Sequence, residues 1–169
     1  MFKLNFLKYR TNNALKKNKS LRASIPYKQA QYVGIIFSVD DRQKHDHIKG
    51  LIKQLEQDGK KVKVLEFLPK EKENYEFMFD FFSAKELSFW GNIESTHAVK
   101  FSETNFDYLF YIDKESNPFI LNLLARSKAN CRVGKYNEGE SGFFELMIEH
   151  NGTIEGLIDN IYKYTKQLK

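Results

Sequence analysis

The chain has 169 residues, 41% of them hydrophobic and 29% charged, with a net charge of +5. That length fits one domain, which at this size buries roughly 70% of its unfolded surface and needs no staple. The lone Cys131 excludes an internal disulfide, and no apolar run approaches the roughly 20 residues of a membrane span.

The charge is unevenly spread. Residues 1–28 hold Lys3, Lys8, Arg10, Lys16, Lys17, Lys19, Arg22 and Lys28 with no Asp or Glu. The arm is thus +8, and residues 29–169 keep 19 basic against 22 acidic groups, about −3. Such asymmetry predicts an anionic partner for the arm, nucleic acid or an anionic membrane surface, the alternative being a solvated helix packed on the acidic body. At about 100° per residue, Leu4, Leu7, Ala14, Leu15 and Leu21 fall on one side of the arm and Phe2, Phe6 and Tyr9 nearly opposite. A helix lying on a membrane has one apolar face. Two faces suit a helix lodged between its own domain and another macromolecule. Pro26 ends the arm, because the residue before proline is pushed out of helical geometry.

Residues 32–68 read as a βαβ unit. Tyr32 to Phe37 is an apolar run, Ile48, Leu51, Ile52 and Leu55 form a helical stripe capped by Gly59, and Val62 to Phe67 make a second strand. Two strands joined by a helix imply a parallel sheet, so the fold class expected is α/β, Rossmann-like, with residues 29–169 as a single domain. Ser38-Val39-Asp40-Asp41 lies where such sheets bind ligands, at the strand carboxyl ends. There is no G-x-G-x-x-G and no Walker loop, so the backbone cradle for phosphate is missing. In His45-Asp46-His47 the histidines are i and i+2, which diverge on a helix. Asp46 therefore reads as an N-cap, and no metal ligand set is nominated.

Tyr75, Phe77, Phe79 and Phe81 alternate with Glu76, Met78 and Asp80, the period of a half-buried strand, with a short helix as the alternative. Ser83 and Glu86 form a capping-box pair, Phe82 and Leu87 a staple and Gly91 a stop, which predicts a helix over that span. These aromatics from 75 to 90 are also a candidate protein-binding surface. Thr96 to Phe101 and Phe106 to Ile112 read as strands. Asn117 and Pro118 open a helix with Ile120, Leu123 and Leu124 inward, ending near Asn130. Cys131 to Gly134 and Phe143 to Ile148 read as strands, and Thr153 opens a last helix with Ile154, Leu157, Ile158 and Ile161 on one face.

Asp40 and Asp41 after strand one, Asp113 after a later strand and Lys135 beyond the next resemble the acidic pocket of response-regulator receiver domains. That resemblance implies Mg²⁺ at Asp40 and Asp41, a phosphoacceptor at Asp113 and a phosphate-pairing Lys135. The chain departs from it in the 73 residues between Asp40 and Asp113 and in Lys-Glu-Ser-Asn after Asp113. Phe82 to Gly91, Ser127-Lys128-Ala129 and Arg132-Val133-Gly134 resemble an uncharacterised family of short Bacteroidota proteins, which implies a bacterial cytoplasmic protein and no activity. Phe106 to Gly134 is similar to the amino-terminal half of heptosyltransferase-like glycosyltransferases, which need a second Rossmann domain.

The function expected is a non-catalytic one: the basic arm docks on ribosomal or other structured RNA. Lys3, Lys8, Arg10, Lys16, Lys17, Lys19 and Arg22 would neutralise phosphates with little sequence reading and no cofactor. The rival is a small-molecule or nucleotide pocket at the strand ends around Ser38, Asp40, Asp41, Asp113, Ser116 and Lys135. With no signal-like stretch near the N-terminus and one thiol, a cytoplasmic setting is expected.

Overall fold

The computed structural model describes residues 2–75 and 79–169. It is an α/β domain built on one six-stranded, all-parallel sheet. In chain order the elements are α1 (Phe2–Lys17), β1 (Tyr32–Ser38), α2 (Arg42–Gln57), β2 (Lys61–Phe67), β3 (Asp80–Phe82), α3 (Thr96–Glu103), β4 (Tyr108–Tyr111), α4 (Pro118–Arg126), β5 (Cys131–Lys135), β6 (Leu146–Ile148) and α5 (Ile154–Lys166). The strand order is β3-β2-β1-β4-β5-β6. The chain runs outward from β1 to one edge, returns to the centre, and runs outward to the other. The register pairs Ile35 with Val64 on one side of β1 and with Phe110 on the other.

Both sheet faces are covered, which is why the central strands read as unbroken apolar runs. Ile36, Leu65, Leu109 and Tyr111 point to a core filled by Leu7 of α1, Phe101 of α3 and Ile120 and Leu124 of α4. Val33, Ile35, Val64 and Phe110 point to the opposite core, with Ile48, Leu51 and Leu55 of α2 and Leu157, Ile158 and Ile161 of α5. Gly34 is forced by this packing, since a Cβ there would lie 2.7 Å from the Phe106 ring.

Residues 2–28 are strapped to the body. Leu7 and Thr11 of α1 are buried against α4, with Ala14 and Leu15 partly so. Asn18 Nδ2 donates to the carbonyls of Ala125 and Ser127 at 2.9 and 3.0 Å, serving the otherwise unpaired C-terminal end of α4. Ala23 N donates to Asn130 O and Tyr27 N to Leu168 O. Leu4 and Leu21, grouped by the helical pattern on the same side as Leu7, are 48% and 77% exposed. Leu21 lies beyond the helix end at Lys17, so the helical phase no longer carries it inward.

Other expectations are corrected too. The span after Phe82 forms only one 3₁₀ turn, Ala84–Glu86, although its Ser83–Glu86 capping box is made. The chain then folds back, pairing Leu87 with Ile93 and leaving Gly91 at φ +77°. Thr96 to Phe101 is helical. Ser95 Oγ caps α3 by accepting from Ala98 N, and Ala98, Phe101 and Ser102 are buried at i, i+3 and i+4. α2 starts at Arg42 with Asp41, not Asp46, as N-cap: Asp41 Oδ1 accepts from Lys44 N at 2.7 Å. α4 ends at Arg126, before Asn130, and only Leu146–Ile148 of the 143–148 run is strand. The 75–81 alternation lies partly outside the described residues, and its described end forms β3.

Candidate functional site

Two places gather polar or exposed aromatic groups. The first is the cleft at the strand carboxyl ends, where the connections after β1 and β4 diverge, the place where open α/β sheets bind ligands. β1 delivers Ser38, β4 leads to Asp113, the first turn of α2 supplies Lys44, and Asn117 stands at the N-cap of α4. Lys44 and Asp113 are both buried and 2.6 Å apart. Asp113 also accepts from Ser38 N at 2.9 Å and Ser38 Oγ at 2.7 Å, while Lys44 Nζ donates to Ser38 O at 2.7 Å. Asn117 Nδ2 donates to Ser38 Oγ at 2.9 Å. Burial, reinforced by the charge of Asp113, drives the Tyr111 phenol far above its ordinary range, so it stays protonated. Its oxygen accepts from Asn117 N.

Above this network opens a cavity of about 700 Å³ lined by Ser38, Asp40, Lys72, Ser116, Asn117 and Phe119 among others. Its floor is a pair of opposite charges that compensate each other. The β1–α2 loop has two acids and no glycine, so an incoming pyrophosphate would meet carboxylates where a dinucleotide fold offers bare amides. Of the six residues nominated from sequence, Ser38, Asp40, Asp113 and Ser116 line the cavity. Asp41 is turned into the α2 cap, and Lys135 donates to Asn137 Oδ1 at 3.3 Å, outside the lining. Lys44, Lys72 and Asn117 were not nominated. An α2 start at Asp41 would have placed Lys44 in the first turn, facing the strand ends.

The second place is the outer surface of α1. Phe2, Tyr9, Phe89 and Trp90 are 73%, 69%, 54% and 59% exposed. Phe6 of α1 packs on the loop pair, 5.3 Å from the Trp90 ring and 6.2 Å from the Phe89 ring, and Trp90 lies 4.9 Å from Phe89. Gly91 makes the contact between loop and helix possible, because a Cβ there would sit 2.5 Å from Leu7 N. Lys8, Lys16, Lys17 and Lys19 are exposed. The other three nominated cations also hold α1 and its extension in place: Lys3 Nζ donates to Leu87 O, Arg10 Nε to Trp90 O and Arg22 Nη1 to Ala129 O.

His45 and His47 diverge, His45 toward Glu66 at 3.5 Å and His47 toward Glu155 at 3.7 Å. Among the described residues no group of three or more His, Cys, Asp or Glu side chains could hold a metal ion, and no helix is long and apolar enough to cross a membrane.

The chain belongs to DUF6913, a family of unknown function whose model matches residues 3–168. That match takes in α1 together with the whole sheet. Searches of curated proteins and of solved structures each found no match.

Proposed function

We propose that the α1 face binds RNA in the cytoplasm, without catalysis. The observation that carries this reading is the shared surface of exposed aromatic rings (Phe2, Tyr9, Phe89, Trp90) and exposed lysines (Lys8, Lys16, Lys17, Lys19), in a segment free of acids from residue 2 to 28. Lysines neutralise phosphates and release counterions, while exposed rings stack on unpaired bases. Structured RNA with splayed loops offers both. The sharper test is charge removal, because deleting residues 1–28 would also strip Leu7 from the core. The chain with Lys8, Lys16, Lys17 and Lys19 changed to Gln is titrated with bulk ribosomal RNA across a salt series. The expected result is a slope of log K against log salt shallower by about 3. Trp90→Ala is expected to weaken binding roughly tenfold with the slope unchanged. An unchanged slope in the quadruple variant, or no binding by the native chain at low salt, ends the reading.

A second reading places a small polar ligand in the strand-end cleft. The cavity at the switch point between β1 and β4 favours it. A thermal-shift screen of polar metabolites, in which a hit loses its effect in Asn117→Ala, would support it. No shift across the screen would count against it.

A further inference from the structure

Between α1, α4 and the turn at Gly91 lies a smaller cavity of about 320 Å³. Its lining carries Arg10, Asn13, Asn92, Asn122 and Arg126, and no lining residue is acidic. Arg10 comes from the middle of α1 and Arg126 from the last turn of α4. Each guanidinium has five N–H donors, and among the described residues each commits only one: Arg10 Nε to Trp90 O at 2.6 Å, and Arg126 Nη1 to Asn122 Oδ1 at 3.3 Å. Asn122 is buried and itself fixed by donating from Nδ2 to Thr11 Oγ1 at 3.0 Å, so it positions Arg126. The side-chain amides of Asn13 and Asn92 form no hydrogen bond with described residues, leaving further donors at the rim.

Two like charges sharing one basin repel, and both burial and Arg10 push the Arg126 guanidinium below its ordinary range. Glu103 of α3 acts in the opposite direction from outside the lining. An anion between the forks would relieve the repulsion. Guanidinium forks match phosphoryl oxygens bidentately, and donors converging from two helices and a turn suit a tetrahedral group better than a planar carboxylate.

We propose that this pocket binds a phosphoryl group between Arg10 and Arg126; resting on the RNA reading above, the group is one phosphate of the RNA backbone. The site itself is tested with inorganic phosphate. Side-chain N–H signals of Arg10, Arg126, Asn13 and Asn92 in the full chain are followed by NMR at constant ionic strength, with chloride as the balancing salt. The expected result is a saturable shift in the native chain, weakened at least tenfold in Arg126→Gln and several-fold in Arg126→Lys, which keeps the charge and loses the fork. Arg10→Gln, at an exposed position, provides the same loss without touching the core. Arg126→Gln is also expected to make the RNA salt slope shallower by about 1. Saturation by phosphate with an unchanged RNA slope would overturn the backbone assignment and leave a site for free phosphate or a phosphomonoester. Absence of a saturable phosphate shift overturns the pocket, whether or not RNA binds. Saturation by phosphate in a chain that binds no RNA overturns the RNA reading and not the pocket.

Discussion

Glu66 sits next to the C-terminal end of β2 with no exposed surface, and burial pushes its carboxyl up from 4.5 to about 7. The folded state therefore holds a proton that the unfolded chain releases. Glu66 contributes stability that is fully present below about pH 4.5 and lost as pH rises to about 7, at most roughly 3 kcal/mol. Glu66→Gln keeps the shape and removes the titration. Urea unfolding at pH 5 and pH 7.5 is expected to show the native chain losing more stability than the variant over that interval. Equal losses would mean that Glu66 is ionised in the fold. Gly91 is constrained by space as well as by its φ of +77°, with Leu7 N and Phe6 C each 2.5 Å from where a Cβ would stand. Gly91→Ala is expected to cost roughly 1–3 kcal/mol and to change the fluorescence of the lone Trp90, whose ring packs on Phe6. An unaltered spectrum would show that the α1–loop contact survives the substitution.

At the scale of elements, α1 joins the same core as α3 and α4, with Leu7 fully buried. Leu7→Ala is then expected to destabilise by roughly 2–5 kcal/mol, as Leu51→Ala of α2 would, and both variants should unfold in one transition. A loosely appended arm would instead leave the Leu7→Ala midpoint where the native chain has it. The elements read correctly from sequence carry long periodic patterns: β1 and β2, the 48–55 stripe of α2 and the 157–161 stripe of α5. Short elements were misread where tertiary contacts outweigh local pattern. Residues 87–91 carry a helix stop but are held over α1 by Lys3, Arg10 and Phe6, and the 96–101 run, read as a strand, is helical once Ser95 caps it and Ala98, Phe101 and Ser102 share one buried face. The strand-end residues Ser38, Asp40, Asp113 and Ser116 were legible because polar residues following apolar runs mark strand ends. Lys44 was hidden by the misplaced start of α2. Arg10 and Arg126 could not be paired from sequence, since only the docking of α1 on α4 brings such distant positions to one cavity.

Across the whole molecule two kinds of electrostatics occupy separate places. At the strand ends Lys44 and Asp113 are buried together, so removing one strands the other in a poorly solvated place. Asp113→Asn is expected to destabilise by roughly 3–5 kcal/mol. Adding Lys44→Met should restore much of that loss, because no charge is then left unpaired. On the α1 side, by contrast, Lys8, Lys16, Lys17 and Lys19 stand in solvent, and surface charges of this kind contribute little to stability. The quadruple Gln variant is therefore expected to unfold at nearly the native midpoint while losing its salt-dependent affinity. The Asp113→Asn, Lys44→Met pair should do the reverse, keeping RNA affinity, since the cleft shares no lining residue with α1. Loss of RNA binding in a folded Asp113→Asn, Lys44→Met chain would mean that the strand-end cleft and the basic face act as one site.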